Sequence, residues 1–139
     1  MRLVSLLVSF GFIFGPSVSG EEWLTWEPFP PIPYEVGLAG PFTGVHENHL
    51  VVAGGANFAP PVWENDKVWH TKMFVLPLGD SDLAWREAGE LERPLGYGTT
   101  ISLPDGIVCI GGNDATRVSE EVFLLSWDGN KFERKELPS

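Results

Sequence analysis

The run Leu50-Val51-Val52-Ala53-Gly54-Gly55 returns as Ile107-Val108-Cys109-Ile110-Gly111-Gly112, 57 residues further along the chain. In each copy four apolar residues read as a strand and two glycines mark its end. Paired glycines at that point admit a backbone with positive φ, or a close approach by another segment. A second marker repeats out of step with the first. Trp26, Trp85 and Phe132 each open a short strand that leads into a proline turn, at Ile32-Pro33, Leu91 to Pro94 and Leu137-Pro138. A third marker is Met73-Phe74-Val75-Leu76 set against Val122-Phe123-Leu124-Leu125.

A strand that ends in Gly-Gly and recurs at roughly 50 residues is the signature of a kelch repeat, one four-stranded blade of a β-propeller. The markers set out an all-β order. Trp23 to Pro28 reads as a lone outer strand, d, of a closing blade. Blade one runs a (Gly40 to His46), b (His49 to Gly54), c (Lys72 to Pro77) and d (Leu83 to Ala88). Blade two runs a (Gly98 to Leu103), b (Ile107 to Gly111), c (Glu121 to Trp127) and d (Lys131 to Lys135). Glu47-Asn48, Pro104-Asp105-Gly106 and Asp128-Gly129-Asn130 supply the tight turns. The rings of Trp26, Trp85 and Phe132 are expected to fill the gap between stacked blades. No segment keeps a helical period.

The 139 residues suit one domain, with 43% hydrophobic and 20% charged residues, as in globular chains. Six Trp, nine Phe, 16 Gly and 12 Pro favour a turn-rich β fold. A net charge of −10, with nine scattered basic residues, argues against nucleic acid and against anionic lipid. Residues 1–20 read as a secretory signal peptide. Arg2 supplies the positive end, Leu3 to Phe14 the apolar stretch, and Val18-Ser19-Gly20 the cleavage point. The expected product is exported, periplasmic or secreted, with no membrane attachment after cleavage. Removing the leader leaves 119 residues, a little over two blades, whereas propellers close with about four to eight. The chain therefore reads as the N-terminal part of a longer protein whose remaining blades it lacks. Cys109 is the one cysteine and reads as a buried core thiol. Three histidines and one cysteine on separate blades make no zinc set.

Longer stretches carry a more specific likeness. They are Leu38-Ala39-Gly40-Pro41-Phe42-Thr43-Gly44-Val45-His46 with Val52 to Phe58, then Trp63-Glu64-Asn65 with Lys67-Val68-Trp69-His70, then Arg93-Pro94-Leu95-Gly96-Tyr97-Gly98 leading to Val108 to Gly112. Together they resemble the N-terminal portion of bacterial N-acetylneuraminate epimerases, also called sialic acid mutarotases, and their cyclically permuted mutarotase relatives. The resemblance implies an exported isomerase, without metal or organic cofactor, that interconverts the anomers of sialic acid. It covers about the first third of a six-bladed member. The family's proposed catalytic glutamate lies in a later blade, so no catalytic base is carried over.

In an antiparallel blade the b–c and d–a connections emerge at the same end. The b–c loop of blade one, Ala56 to Thr71, is long, and long loops in compact folds are usually functional. It carries Asn57, Trp63, Glu64, Asn65, Asp66, Trp69 and His70. The matching loop of blade two carries Asn113, Asp114, Thr116 and Arg117, and the d–a connection carries Arg93 and Tyr97. The candidate substrate-binding residues are Asn57, Glu64, His70, Arg93, Asp114 and Arg117. Arginines suit the carboxylate of an acidic sugar, and amides and acids suit its hydroxyls. Plainer roles stand beside these: a loop cap for His70, solvated charge for Glu64, an Asx turn for Asp114. His46, Glu47 and His49 belong to the opposite end. Fold alone does not settle activity. A non-catalytic kelch module for carbohydrate or protein, or a non-functional truncated remnant, fits the same sequence.

Overall fold

The computed structural model describes residues 26–79 and 83–139. The signal-peptide reading and the first residues of the lone strand fall outside them. Among the described residues ten strands form: β1 (Phe42–His46), β2 (His49–Ala53), β3 (Ala56–Phe58), β4 (Lys67–Trp69), β5 (Lys72–Pro77), β6 (Arg86–Glu90), β7 (Thr99–Leu103), β8 (Gly106–Ile110), β9 (Val122–Trp127) and β10 (Phe132–Leu137). Two antiparallel four-stranded sheets result, β1-β2-β5-β6 and β7-β8-β9-β10, with β3-β4 as a separate hairpin. These are two consecutive propeller blades in the expected a-b-c-d order. Among the described residues no helix is long and apolar enough to cross a membrane.

The turns follow from their residues. Glu47 and Asn48 both take positive φ, 45° and 56°, as a two-residue hairpin turn of the primed kind requires. The main-chain carbonyl of Asn48 accepts from Leu78 N at 2.8 Å, and its side-chain amide donates to the Leu78 carbonyl. At the other tight turn Asp128 Oδ1 accepts from the backbone N–H of Asn130 and of Lys131, each at 2.8 Å. These bonds hold its carboxyl below the usual aspartate range.

The blades pack face to face through alternate residues. Phe42, Val51, Ala53, Met73 and Val75 of blade one meet Ile107, Cys109, Phe123, Leu125 and Trp127 of blade two in one core. Phe42 and Phe123 meet edge-on at 5.7 Å. Truncating a ring in such a position costs about 3–5 kcal/mol. Polar bonds fix the seam's register. His46 Nδ1 accepts from Trp127 N at 3.0 Å, Ser102 Oγ from Val45 N at 2.9 Å, and Thr100 Oγ1 donates to Thr43 O at 2.5 Å. Cys109 is fully buried, and burial pushes its thiol up to about 12, so it stays protonated and inert.

The outer faces differ, and burial records it. Phe74 and Leu76 of β5 are buried although their neighbours Met73 and Val75 fill the seam. Tyr34, from the segment before β1, lies edge-on to Phe74 at 5.6 Å and covers that side. The equivalent face of blade two is open. β9 alternates buried and half-buried residues, and Ile101, Leu103 and Ile110 are 49%, 45% and 38% exposed.

Three expectations are corrected. Residues 26–28 form no strand, because no described strand takes up their N–H and C=O groups. Trp26 is 88% exposed and fills no gap between blades. The outer strand of blade one begins at Arg86, not Leu83. Trp85 folds back instead, its indole N–H donating to Pro30 O at 2.9 Å. A register shift between Met73 and Phe74 then inserts Ala88 as an extra residue and carries β6 on to Glu90. Phe132 keeps its expected place, packed against the core between the blades, with its ring 4.9 Å from that of Trp127 in its own sheet.

The glycines that end β2 and β8 behave alike in backbone and differ in surroundings. Gly54 and Gly111 take φ of +63° and +64°. A Cβ on Gly54 would collide with the Leu95 carbonyl oxygen, whereas one on Gly111 would find its nearest neighbour, Ser119 O, at 3.4 Å. Gly111→Ala should therefore cost only the left-handed strain, about 1–2 kcal/mol. Gly54→Ala should cost clearly more, because the crossing peptide must move too. Urea denaturation followed by tryptophan fluorescence measures both, and equal losses would remove the steric role assigned to Leu95.

Candidate functional site

The connections meet at one end because the backbone crosses itself there twice. Ala39 and Ala56 exchange N–H···O bonds of 2.7 and 2.9 Å. Gly96 and Asn113, each 57 residues further on, exchange bonds of 3.0 and 2.7 Å. Tyr97 N donates to Gly40 O at 2.6 Å and ties one crossing to the other. The segment entering each blade is thus clamped to the Gly-Gly end of its strand b. The two b–c loops and the d–a connection share one surface. The expected loop of blade one is itself partly ordered as the β3–β4 hairpin.

Most of the sequence-predicted residues are here, and several are already engaged. His70 Nε2 lies 2.8 Å from Asn57 Oδ1, while Asn57 Nδ2 donates to Gly37 O at 2.9 Å. The His70 ring rests 4.9 Å from Tyr34. Burial lowers its pKa, so the ring is neutral at neutral pH and gives its Nε2 hydrogen to Asn57. Both side chains brace the hairpin. Glu64 is exposed at the hairpin tip, where its N–H closes a turn on Pro61 O at 3.0 Å. Asn65 donates to Ala59 O and Pro61 O in the same tip.

Arg93 is the centre of an ion-pair network. Its guanidinium donates to Asp114 Oδ2, Ser119 Oγ and Glu121 Oε1, each at 2.8 Å, with Nε also on Glu121 at 3.1 Å. Arg134 joins through Glu121 at 3.1 Å and Glu92 at 2.7 Å. Partial burial alone would raise the Glu121 pKa, but the two arginines outweigh it and hold the carboxyl low. Asp114 also accepts from Thr116 N, Thr116 Oγ1 and Arg117 N at 2.7 to 2.9 Å. Those Thr116 bonds first, then Arg117 N and Arg93, hold its carboxyl at about 2. Asp114 therefore does form the Asx turn, and Arg93 joins blade one's exit to blade two's loop. Arg117 is 65% exposed, with Nε 3.8 Å from Asp114 Oδ2.

Sequence reading passed over Lys67 and Phe58. Lys67 Nζ stands 4.8 Å from the Tyr97 ring centre and 5.5 Å from those of Phe58 and Trp69. The strand alternation of Lys67-Val68-Trp69 was the available signal. Trp69 is fixed in turn, its indole N–H donating to Asn113 Oδ1 at 3.2 Å across the blade seam. Among the described residues no group of three or more His, Cys, Asp or Glu is placed to hold a metal ion.

The network predicts a pH response. The folded Asp114 carboxyl sits near 2 against an ordinary 3.8, so it stabilises the fold above about pH 4. That contribution drains away as pH falls through about 2. Asp114→Asn should lower stability at neutral pH and reduce the loss between about pH 4 and pH 2, with Glu121 and Asp128 supplying what remains. Urea midpoints at those pH values measure it. An unchanged slope would remove Asp114 from the network's energetics.

Comparison with known proteins agrees with this picture. The model of the N-acetylneuraminate epimerase family matches residues 18–133. The N-acetylneuraminate epimerase of Yersinia pestis (strain Pestoides F) is 36% identical, the match covering 78% of this chain and 31% of that protein. The Brucella suis protein of the same name is 35% identical with the same coverage. The solved structure of YjhT superposes with a TM-score of 0.72 over 84% of this chain and 36% of its own, at 23% identity, a likeness of fold. This chain spans about a third of the length of the curated relatives it matches. It belongs to the N-acetylneuraminate epimerase family.

Proposed function

We propose that this chain supplies two blades and part of the substrate face of an exported sialic acid mutarotase. Such an enzyme interconverts the α and β anomers of N-acetylneuraminate. The observation that carries the reading is the convergence of both b–c loops and the d–a connection on one face of a chain in this family. Arg117, Lys67, Trp69, Tyr97 and Thr116 offer that face cationic, aromatic and hydroxyl groups, a set suited to an acidic sugar. The leader read at residues 1–20 supports export to the periplasm or the medium.

Mutarotation opens and recloses the sugar ring. One group removes the proton from the anomeric hydroxyl as the ring C–O bond breaks, and another protonates the ring oxygen. Recyclisation onto either face of the ketone returns both protons. In these blades Asp114 is held as a carboxylate by the Thr116 bonds first and then by Arg117 N and Arg93, Glu121 by Arg93 and Arg134, and His70 is committed to Asn57. We assign the proton transfers to blades beyond these two. The open apolar face of blade two, with Ile101, Leu103 and Ile110, supports a further blade stacking there.

The test is a chimera in which this chain replaces the matching segment of the Yersinia pestis relative. Relaxation of α- to β-N-acetylneuraminate is followed by NMR. The chimera should relax the anomers faster than buffer, while this chain alone runs at the buffer rate. A folded chimera no faster than buffer would refute the reading.

A further inference from the structure

We infer that Lys67, held among Phe58, Trp69 and Tyr97, is the subsite that takes the carboxylate of an acidic monosaccharide. The inference rests on the proposed function and names the residue that would recognise the acid group. Sequence reasoning gave that role to Arg93 and Arg117, and the structure separates the three cations. Arg93 spends its hydrogen-bond donors on Asp114, Glu121 and Ser119 inside the fold. Arg117 is exposed and unbraced apart from the distant contact with Asp114. Lys67 is braced without being neutralised. Among the described residues no carboxylate lies within ion-pair distance of it, and three rings surround its ammonium at 4.8 to 5.5 Å.

A ring face attracts and orients a cation but leaves its N–H groups free to bond elsewhere. Tyr97 Oη accepts one of the three Lys67 donors at 3.2 Å, so two remain. The brace is itself built across the seam. Tyr97 takes a positive φ of 60° and is held there by its N–H on Gly40 O. Trp69 is anchored on Asn113. Lys67, Trp69, Pro94, Ala115 and Thr116 line a pocket of about 330 Å³. Asp114 also lines it, its carboxylate already engaged by Arg93 at 2.8 Å and by the Thr116 and Arg117 donors. The volume suits a monosaccharide. The carboxylate would meet Lys67, an apolar sugar face or acyl methyl would lie on Trp69, and a hydroxyl would reach Thr116.

The experiment titrates the full chain with N-acetylneuraminate and, as the neutral probe, with its methyl ester. Binding is read by calorimetry and by the Trp69 indole signal in NMR. The wild type should prefer the acid by about tenfold, as expected for one charge-assisted bond. Lys67→Gln should erase that preference while ester affinity stays within about twofold, and Lys67→Arg should restore most of it. The Trp69 signal should shift on titration of the wild type, a readout that needs no variant to fold. Acid binding with the Trp69 signal unmoved, or a preference retained in Lys67→Gln, would overturn the assignment and leave the proposed function standing. A wild type that binds neither compound would also overturn the assignment, while the proposed function stands or falls with the chimera.

Discussion

The crossing of each blade-entry segment over the Gly-Gly end of strand b is the constraint on which the molecule depends. Strand b must stop without turning away, and its final peptide must meet another backbone at hydrogen-bond distance. Gly54 meets the first demand by taking a left-handed φ, and the lack of a side chain lets the Leu95 carbonyl pass. The reciprocal Ala39–Ala56 and Gly96–Asn113 bonds meet the second. Because Tyr97 N bonds Gly40 O, the two crossings are not independent. They set the spacing between the loop clusters of neighbouring blades.

From that spacing follows the division of labour among the polar residues. Where the d–a connection passes blade two, Arg93 is drawn into contact with Asp114, Ser119 and Glu121. A partly buried cation with two carboxylates stabilises the loop, and losing one partner would leave charge uncompensated. Where the β3–β4 hairpin leans over the seam, Trp69 reaches Asn113, and Lys67 finds rings instead of acids. One set of residues holds the face together, and the other is free to receive a ligand.

The repeat was legible because local chemistry announces it. Apolar runs ending in Gly-Gly, and turns such as Glu47-Asn48 and Asp128-Gly129-Asn130, act over a few residues, and their positions survive almost unchanged in the structure. The β3–β4 hairpin was not legible. Its strands have three residues each and are separated by a proline-containing tip, so neither shows enough alternation to stand out. The roles of Arg93 and Lys67 were hidden for a different reason. The partners of Arg93 lie 21 to 28 residues away and Tyr97 lies 30 residues from Lys67, and only the crossing backbone brings them together. The face on which candidates gather is readable from strand order, and packing decides which of them are already spent.

Native-state hydrogen exchange at the crossing tests the central claim most directly. The amides of Ala39, Ala56, Gly96, Tyr97 and Asn113 all lie outside or at the margin of the blades' strands. If the crossing organises the loop face, they should be protected as strongly as the central amides of β2 and β8, and should open with them. Exchange at the rate of an open loop, with β2 and β8 still protected, would contradict it.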